Sequence, residues 1–380
     1  MNRYDKTRNM KKKNTDISGE EKEKTDNVSV RDNNAKKRKN ILSYLFRLIL
    51  SFVLIIIIIR AVDMQEVLNL LRGIDPWTLF LAYLTVLLGA IPSAYAWKML
   101  IRIQKLDIPF LRVVYMNLVG FFFNSYLPTG VGGDIWRGFT LSRVSEKAGG
   151  SIASVIMERL VAFGSIVLLG LVSFFLNIER FRKAGILGGV SLFFGIMTAV
   201  FLGAIFLGPY VLKLLKDKMS GSKVDGNDDS APRSNSFLRR TTIFILGKMG
   251  ISGADISSLG DGLILYWKKP LKVLGALLMT SISPLLECVT YILIINSLNL
   301  DVSYLPVFML VPLLRFVNHI PVSVSSIGIQ DLTLLLFLKP LGLSAEQALS
   351  ISILMHFLRL LVGATGGLLY VVVPYKREGE

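Results

Sequence analysis

Six apolar runs divide this sequence, each at least as long as the roughly 18 residues a helix needs to cross the hydrocarbon core of a bilayer. They are Ile41–Ile59, Trp77–Trp97, Ser151–Leu176, Ala184–Tyr210, Leu271–Leu298 and Ser350–Pro374. Hydrophobic residues make up 52% of the 380 and charged residues only 18%, too few to cover a soluble surface. The chain reads as an all-α polytopic membrane protein with about six full spans.

Two further apolar stretches are broken in the middle. Val113–Leu141 is interrupted by Pro128-Thr-Gly-Val-Gly-Gly-Asp134, and Tyr304–Leu338 by Pro321-Val-Ser-Val-Ser-Ser-Ile-Gly-Ile-Gln-Asp331. Pro and Gly interrupt helices, and at membrane depth such breaks are tolerated only where protein or water satisfies the freed backbone groups. Both stretches are expected to form re-entrant hairpins.

Charge placement orients these segments. Residues 1–40 hold 13 of the 43 Lys/Arg and almost no large apolar residues, which predicts a disordered basic cytoplasmic tail. Arg60 and Arg72 are balanced by Asp63, Glu66 and Asp75, so loop 60–76 suits the outside. Lys98, Arg102, Lys105 and Arg112 mark an inner loop, as do Arg143 and Lys147. The first hairpin therefore enters from the cytoplasm, and the second must enter from outside for Lys376-Arg377 to end inside. Arg180, Arg182 and Lys183 on an outer loop run against this scheme. The expectation is a multi-pass protein of the plasma membrane with both termini cytoplasmic.

The two halves resemble each other. After the first break comes Ser151-Ile-Ala-Ser-Val-Ile-Met-Glu-Arg159-Leu, and after the second Ser350-Ile-Ser-Ile-Leu-Met-His-Phe-Leu-Arg359-Leu. With opposite hairpin entry this predicts an inverted repeat, residues 41–176 and 177–375, followed by a short tail at 376–380. Such repeats place a substrate site between the halves near the midplane. A polar linker is expected over 217–240 within the cytoplasmic segment 213–269, and an amphipathic interfacial helix near Ser258–Trp267.

Several chemistries are excluded. The basic residues flank apolar runs instead of forming an aromatic-basic stripe, so no nucleic-acid partner is expected. Cys288 is the only cysteine, and two histidines, His319 and His356, cannot build a His-rich metal site. No cofactor, metal or catalytic residue is assigned.

Ionisable residues within spans are costly and usually face a partner or a cavity. Here they are Glu158, Arg159, Glu287, Arg315, His356 and Arg359, with Asp134, Arg137 and Asp331 at the hairpins. Glu287 lies mid-span and cannot snorkel; either it locks helices together by pairing with Arg159 or Arg359, or it serves a polar relay or headgroup contact. The densest local signal is Asn124-Ser-Tyr-Leu-Pro128-Thr-Gly130-Val-Gly132-Gly133-Asp134-Ile-Trp-Arg137. A Gly-rich turn before a helix exposes N–H groups to an anion such as phosphate, or merely permits close packing. Without a Lys-Ser/Thr ending or a preceding strand it is not a nucleotide loop.

The run NSYLPTGVGGDIWRGFTLSR, then SVIMERL, then PVSVSSIGIQD and a closing Arg-containing span resemble the lysylphosphatidylglycerol synthase transmembrane-region family, also called flippase-like. Asn124, Pro128, Gly130, Gly133, Asp134, Arg137 and Arg159 match its first-half motif. Pro321, Gly328, Asp331 and Arg359 match the second, where Ser325-Ser326 replaces the usual Gly-Gly. Members that make aminoacyl-lipids carry a soluble synthase domain after the membrane part; this chain ends at Glu380, so the resemblance implies the membrane half without the transferase.

Three functions fit these observations. The first is translocation or handling of an anionic lipid or lipid-linked saccharide, with Asn124, Pro128, Gly130, Gly133, Asp134, Arg137, Glu158, Arg159, Glu287, Asp331 and Arg359 contacting substrate. The second is a membrane glycosyltransferase using a lipid-phosphate donor, with Asp63, Glu66 and Asp75 supplying a carboxylate. The third is a non-transporting partner subunit of a lipid or glycan synthase.

Overall fold

The computed structural model of the chain describes residues 62–127, 131–145, 147–183, 185, 187–220, 253–300, 302–319 and 328–373, with Ile56 and Arg60. All lie within the unit Leu54–Glu380. The basic tail and the first span, but for Ile56, fall outside the described residues, as do Pro128, Gly130, Pro321 and most of the polar linker.

Among the described residues the fold is all helical. In chain order the helices are α1 (Met64–Arg72), α2 (Pro76–Leu88), α3 (Ala90–Ile103), α4 (Phe110–Tyr126), α5 (Gly132–Ser145), α6 (Ala148–Lys183), α7 (Leu187–Ser220), α8 (Gly253–Trp267), α9 (Pro270–Thr280), α10 (Ile282–Ser297), α11 (Val307–His319), α12 (Ile329–Leu338) and α13 (Ala345–Val372). Five segments are long and apolar enough to cross a membrane: Pro76–Ile103, Ala148–Lys183, Gly188–Val211, Pro270–Ser297 and Ala345–Val372. The spans expected at these places are present, and α7 runs four residues into the expected linker.

The helix starts follow local chemistry. Asp63 caps α1 by accepting from the N–H groups of Gln65 and Glu66, and Asp75 caps α2 through Thr78, with Pro76 in the first turn. The bonds from Thr78 hold the Asp75 carboxyl below its ordinary range. Two of the three acids that motivated the glycosyltransferase reading are thus occupied as helix caps. Ser344 and Gln347 form a reciprocal capping box at the start of α13.

Two spans are kinked, at Gly89 between α2 and α3 and at Ser281 between α9 and α10. The kinks meet: Ser283 Oγ donates to the Gly89 carbonyl at 2.7 Å, so one break satisfies the backbone freed by the other. Thr85 and Thr290 Oγ1 lie 2.8 Å apart one turn away, which registers α2 antiparallel to α10.

The helix at Gly253–Trp267 covers the stretch where an interfacial helix is expected. Its Leu263 and Tyr266 are buried beside Leu100, Ala153 and Met157, because its apolar face meets protein on α3 and α6. Gly149 of α6 allows this approach, since a Cβ there would fall 1.9 Å from Ser258 Oγ. The outward faces remain apolar. Phe175, Leu192, Phe206, Leu271, Leu368 and Val371 are all exposed, a pattern suited to lipid.

The hairpins pair with one long helix. α4 packs along α13, and a Cβ on Gly366 would fall 2.1 Å from the Leu118 carbonyl. Tyr115 OH donates to the Val373 carbonyl, and Tyr126 OH, at the other end of α4, to that of Leu360. At the far side of the second break, Gln330 at the start of α12 accepts from Arg359. Tyr126 and Gln330, which flank the two breaks, therefore register on adjoining residues of α13, about 21 Å from its start at 1.5 Å per residue.

Candidate functional site

Each hairpin tip carries an acid in the first turn of its returning helix, and each acid gathers a charged cluster. In the first, Asp134 of α5 is gripped by Arg159 of α6, whose Nε donates to Oδ2 at 2.7 Å and Nη2 to Oδ1 at 2.6 Å. Arg137, one turn after Asp134, donates from Nη2 to Asp134 Oδ1 (2.6 Å) and Glu158 Oε2 (3.0 Å). Its Nη1 donates to Asn117 Oδ1, and Asn117 in turn donates to the Ala90 carbonyl. The Arg137 guanidinium lies 4.8 Å from the ring centre of fully buried Trp97.

Burial is graded across this cluster. The Arg137 and Glu158 side chains are 4% and 7% exposed, Asp134 16%, and Arg159 37%. Two acids balance two arginines, which makes burial of all four tolerable. Arg137 holds the helices together, whereas Arg159 is the cation that reaches accessible space.

The glycine loop does less than its sequence suggests. The Gly133 N–H donates to Asn124 Oδ1 at 2.8 Å, so that amide is already taken. A Cβ on Gly133 would lie 2.1 Å from the Gly120 carbonyl, so glycine is required for α5 to pack on α4. Among the described residues of the motif, close packing is the observed role.

The second cluster joins four helices. Glu287 of α10 accepts from Arg315 Nε of α11 and, on its other oxygen, from Arg359 Nη2 of α13 at 3.1 Å. Arg359 also donates to Gln330 of α12. Asp331 Oδ1 accepts from Ser352 and lies 2.9 Å from His356 Nε2, while Oδ2 accepts from the Gly328 N–H. Gly328 sits at φ +87°, where a side chain would be strained. The fully buried Tyr291 adds a hydroxyl with no hydrogen-bond partner, and Gln330 Nε2 is likewise unpartnered.

The expected site residues thus separate into two sets. Asn124, Gly133, Asp134, Arg137, Glu158 and Arg159 come together at the first tip, and Glu287, Asp331 and Arg359 at the second. Of the two partners considered for Glu287, Arg359 bonds it and Arg159 does not; Arg315 is the additional one. Asn117, Trp97, Gln330, Ser352 and Tyr291 were missed, since an amide, hydroxyl or indole inside an apolar run gives no signal comparable to a charge.

An open groove of about 670 Å³ runs between α2 and α13, lined mainly by apolar side chains including Leu79, Phe80, Phe357, Leu361 and Leu368. Tyr83 and Thr365, joined by a 2.7 Å hydrogen bond, contribute to the same wall. Phe357 on the groove wall follows His356 in α13, about 100° further around the helix. Among the described residues no group of three or more His, Cys, Asp or Glu gathers to hold a metal.

Comparison with known proteins agrees with this architecture. The family model described as lysylphosphatidylglycerol synthase TM region matches residues 44–367. The UPF0104 membrane protein MJ1595 of Methanocaldococcus jannaschii is 27% identical over 116 residues, 30% of this chain and 34% of that relative. The chain thus matches about a third of the length of this curated relative. No solved structure matches the chain.

Proposed function

The chain belongs to the lysylphosphatidylglycerol synthase transmembrane-region family, and on that premise we propose that it translocates or handles an anionic lipid or lipid-linked saccharide. The observation that carries this reading is Arg159, an accessible guanidinium held bidentately by one carboxylate at a hairpin tip. A phosphate offers the same planar fork of acceptors as Asp134 and competes for it. Releasing Arg159 leaves Asp134 still paired with Arg137, so the exchange leaves no acid unpaired.

Arg315 and Arg359, each more than a quarter exposed, offer a comparable pair at the second tip. The apolar groove between α2 and α13 suits an acyl or prenyl tail while the headgroup meets the charges. We read the two halves as an inverted repeat whose tips share one depth on α13, which supports a headgroup path between them. The Lys/Arg bias of the loops supports both termini being cytoplasmic, and we read the membrane as the plasma membrane.

The test is leaflet exchange of labelled phosphatidylglycerol and of a polyprenyl-phosphate sugar in vesicles holding the full chain. Exchange above that of empty vesicles is expected for at least one, with Arg159→Lys slower because an ammonium cannot form the bidentate fork. Failure to move either lipid class, or an unaffected Arg159→Ala, would overturn the reading.

A further inference from the structure

The two clusters are built alike and differ in one group. Asp134, in the first turn of α5, meets Arg159, 25 residues later. Asp331, in the first turn of α12, meets His356, also 25 residues later. The partner of Arg159 by this spacing is therefore the imidazole of His356, not the guanidinium of Arg359. A guanidinium stays charged at every physiological pH, whereas an unperturbed imidazole changes charge between about pH 5 and 8. With a neutral imidazole the second cluster sets Glu287 and Asp331 against Arg315 and Arg359; a proton leaves it with one excess positive charge.

Resting on the anionic-lipid reading above, we propose that the Asp331–His356 pair is a proton-binding site, and that the proton it takes up strengthens the hold of the second cluster on an anionic headgroup. Asp331 is oriented by Ser352 and the Gly328 N–H, so one face of its carboxylate is presented to the ring. The start of α12 favours negative charge there. His356 is 23% exposed against 10% for Asp331, so the ring is the member that reaches accessible space. It lies one turn before Arg359, so its charge arrives beside the guanidinium that bonds Glu287.

The groups around α13 are few. α12 brings Asp331, α10 brings Glu287 and Tyr291, and Arg315 of α11 stands behind Glu287. α2 brings Tyr83 to Thr365, and α4 brings Tyr126 to the Leu360 carbonyl. At the two ends of α13, Glu346 accepts from the Asp63 N–H and Tyr115 OH donates to the Val373 carbonyl. The imidazole is thus the group in this set whose ordinary titration range spans neutral pH.

The chain has two histidines, so a His319→Gln variant of the full chain leaves one imidazole to follow by NMR with labelled histidine. In nanodiscs of phosphatidylcholine alone, that ring is expected to gain a proton as the pH is lowered. Asp331→Asn should make it hold the proton less well. Adding phosphatidylglycerol, in about 1 M salt to shorten the reach of surface charge to about 3 Å, should raise proton affinity on the order of tenfold, since coupling between two ligands is reciprocal. A ring that does not titrate, or titrates indifferently to Asp331→Asn, overturns the proton site. A ring that responds to Asp331→Asn but not to phosphatidylglycerol overturns its coupling to the anionic lipid. In leaflet exchange, His356→Arg should lose the pH dependence of the parent chain; retained dependence overturns the coupling too. Failure of the transport reading is separately visible, as a parent chain no faster than empty vesicles while the imidazole still titrates.

Discussion

Arg137 and Arg159 share the carboxylate of Asp134, yet their surroundings assign them different work. Arg137 is enclosed, stacked on Trp97 and bonded to Glu158 and Asn117; Arg159 is open on one side. Removing one member of a buried pair leaves its partner charged and unpaired, at about 3–5 kcal/mol. Arg137→Ala should therefore lower thermal stability in detergent steeply, and Arg159→Ala much less because Asp134 keeps Arg137. Replacing the pair as Arg137→Met with Glu158→Leu should recover part of the loss. Equal losses from the two single variants, measured by thermal unfolding, would contradict this division of roles.

At the scale of elements, the breaks between helices matter as much as the helices. Ser283, beside the break at Ser281, donates to the carbonyl of Gly89 at the other break, and the hairpin of α4 and α5 closes only because Gly133 lets its backbone touch that of Gly120. A methyl at Gly133 has backbone and the Asn124 amide to displace, not the end of a flexible side chain. Overpacking of this kind costs typically about 1–3 kcal/mol, and here it also tilts the helix that carries Asp134 and Arg137. Gly133→Ala should lower the melting temperature and slow any lipid exchange together. Gly195→Ala on α7, where an added Cβ meets nothing, serves as the control and should leave both unchanged.

Across the whole molecule, long-range contacts sort the loops into two ends. Asp63 meets Glu346, and Arg180 meets Ser303, at one end; Gln104 meets Gly262, and Tyr115 meets Val373, at the other. From loop charges we propose that the first of these ends is the outer one, where Arg180 bonds Ser303. With Cys288 replaced by Ala, a single cysteine at Lys105 should react with an impermeant thiol reagent only from the cytoplasmic side, and one at Gly342 only from outside. Labelling of both from the same side would contradict the topology. Membrane class, the places of the spans, the two broken segments and the short roster of ionisable residues are legible along the chain, because length, hydropathy and isolated charge are local properties. Glu287 could be read as needing a cation, but not as needing Arg315 and Arg359 together. The equivalence of His356 with Arg159 was hidden in the same way, behind the more obvious match of two arginines. Only the tertiary structure decided these pairings: in a bilayer the same apolar side chains face lipid and neighbouring helices alike, so no periodicity in the sequence records which face of each helix turns inward.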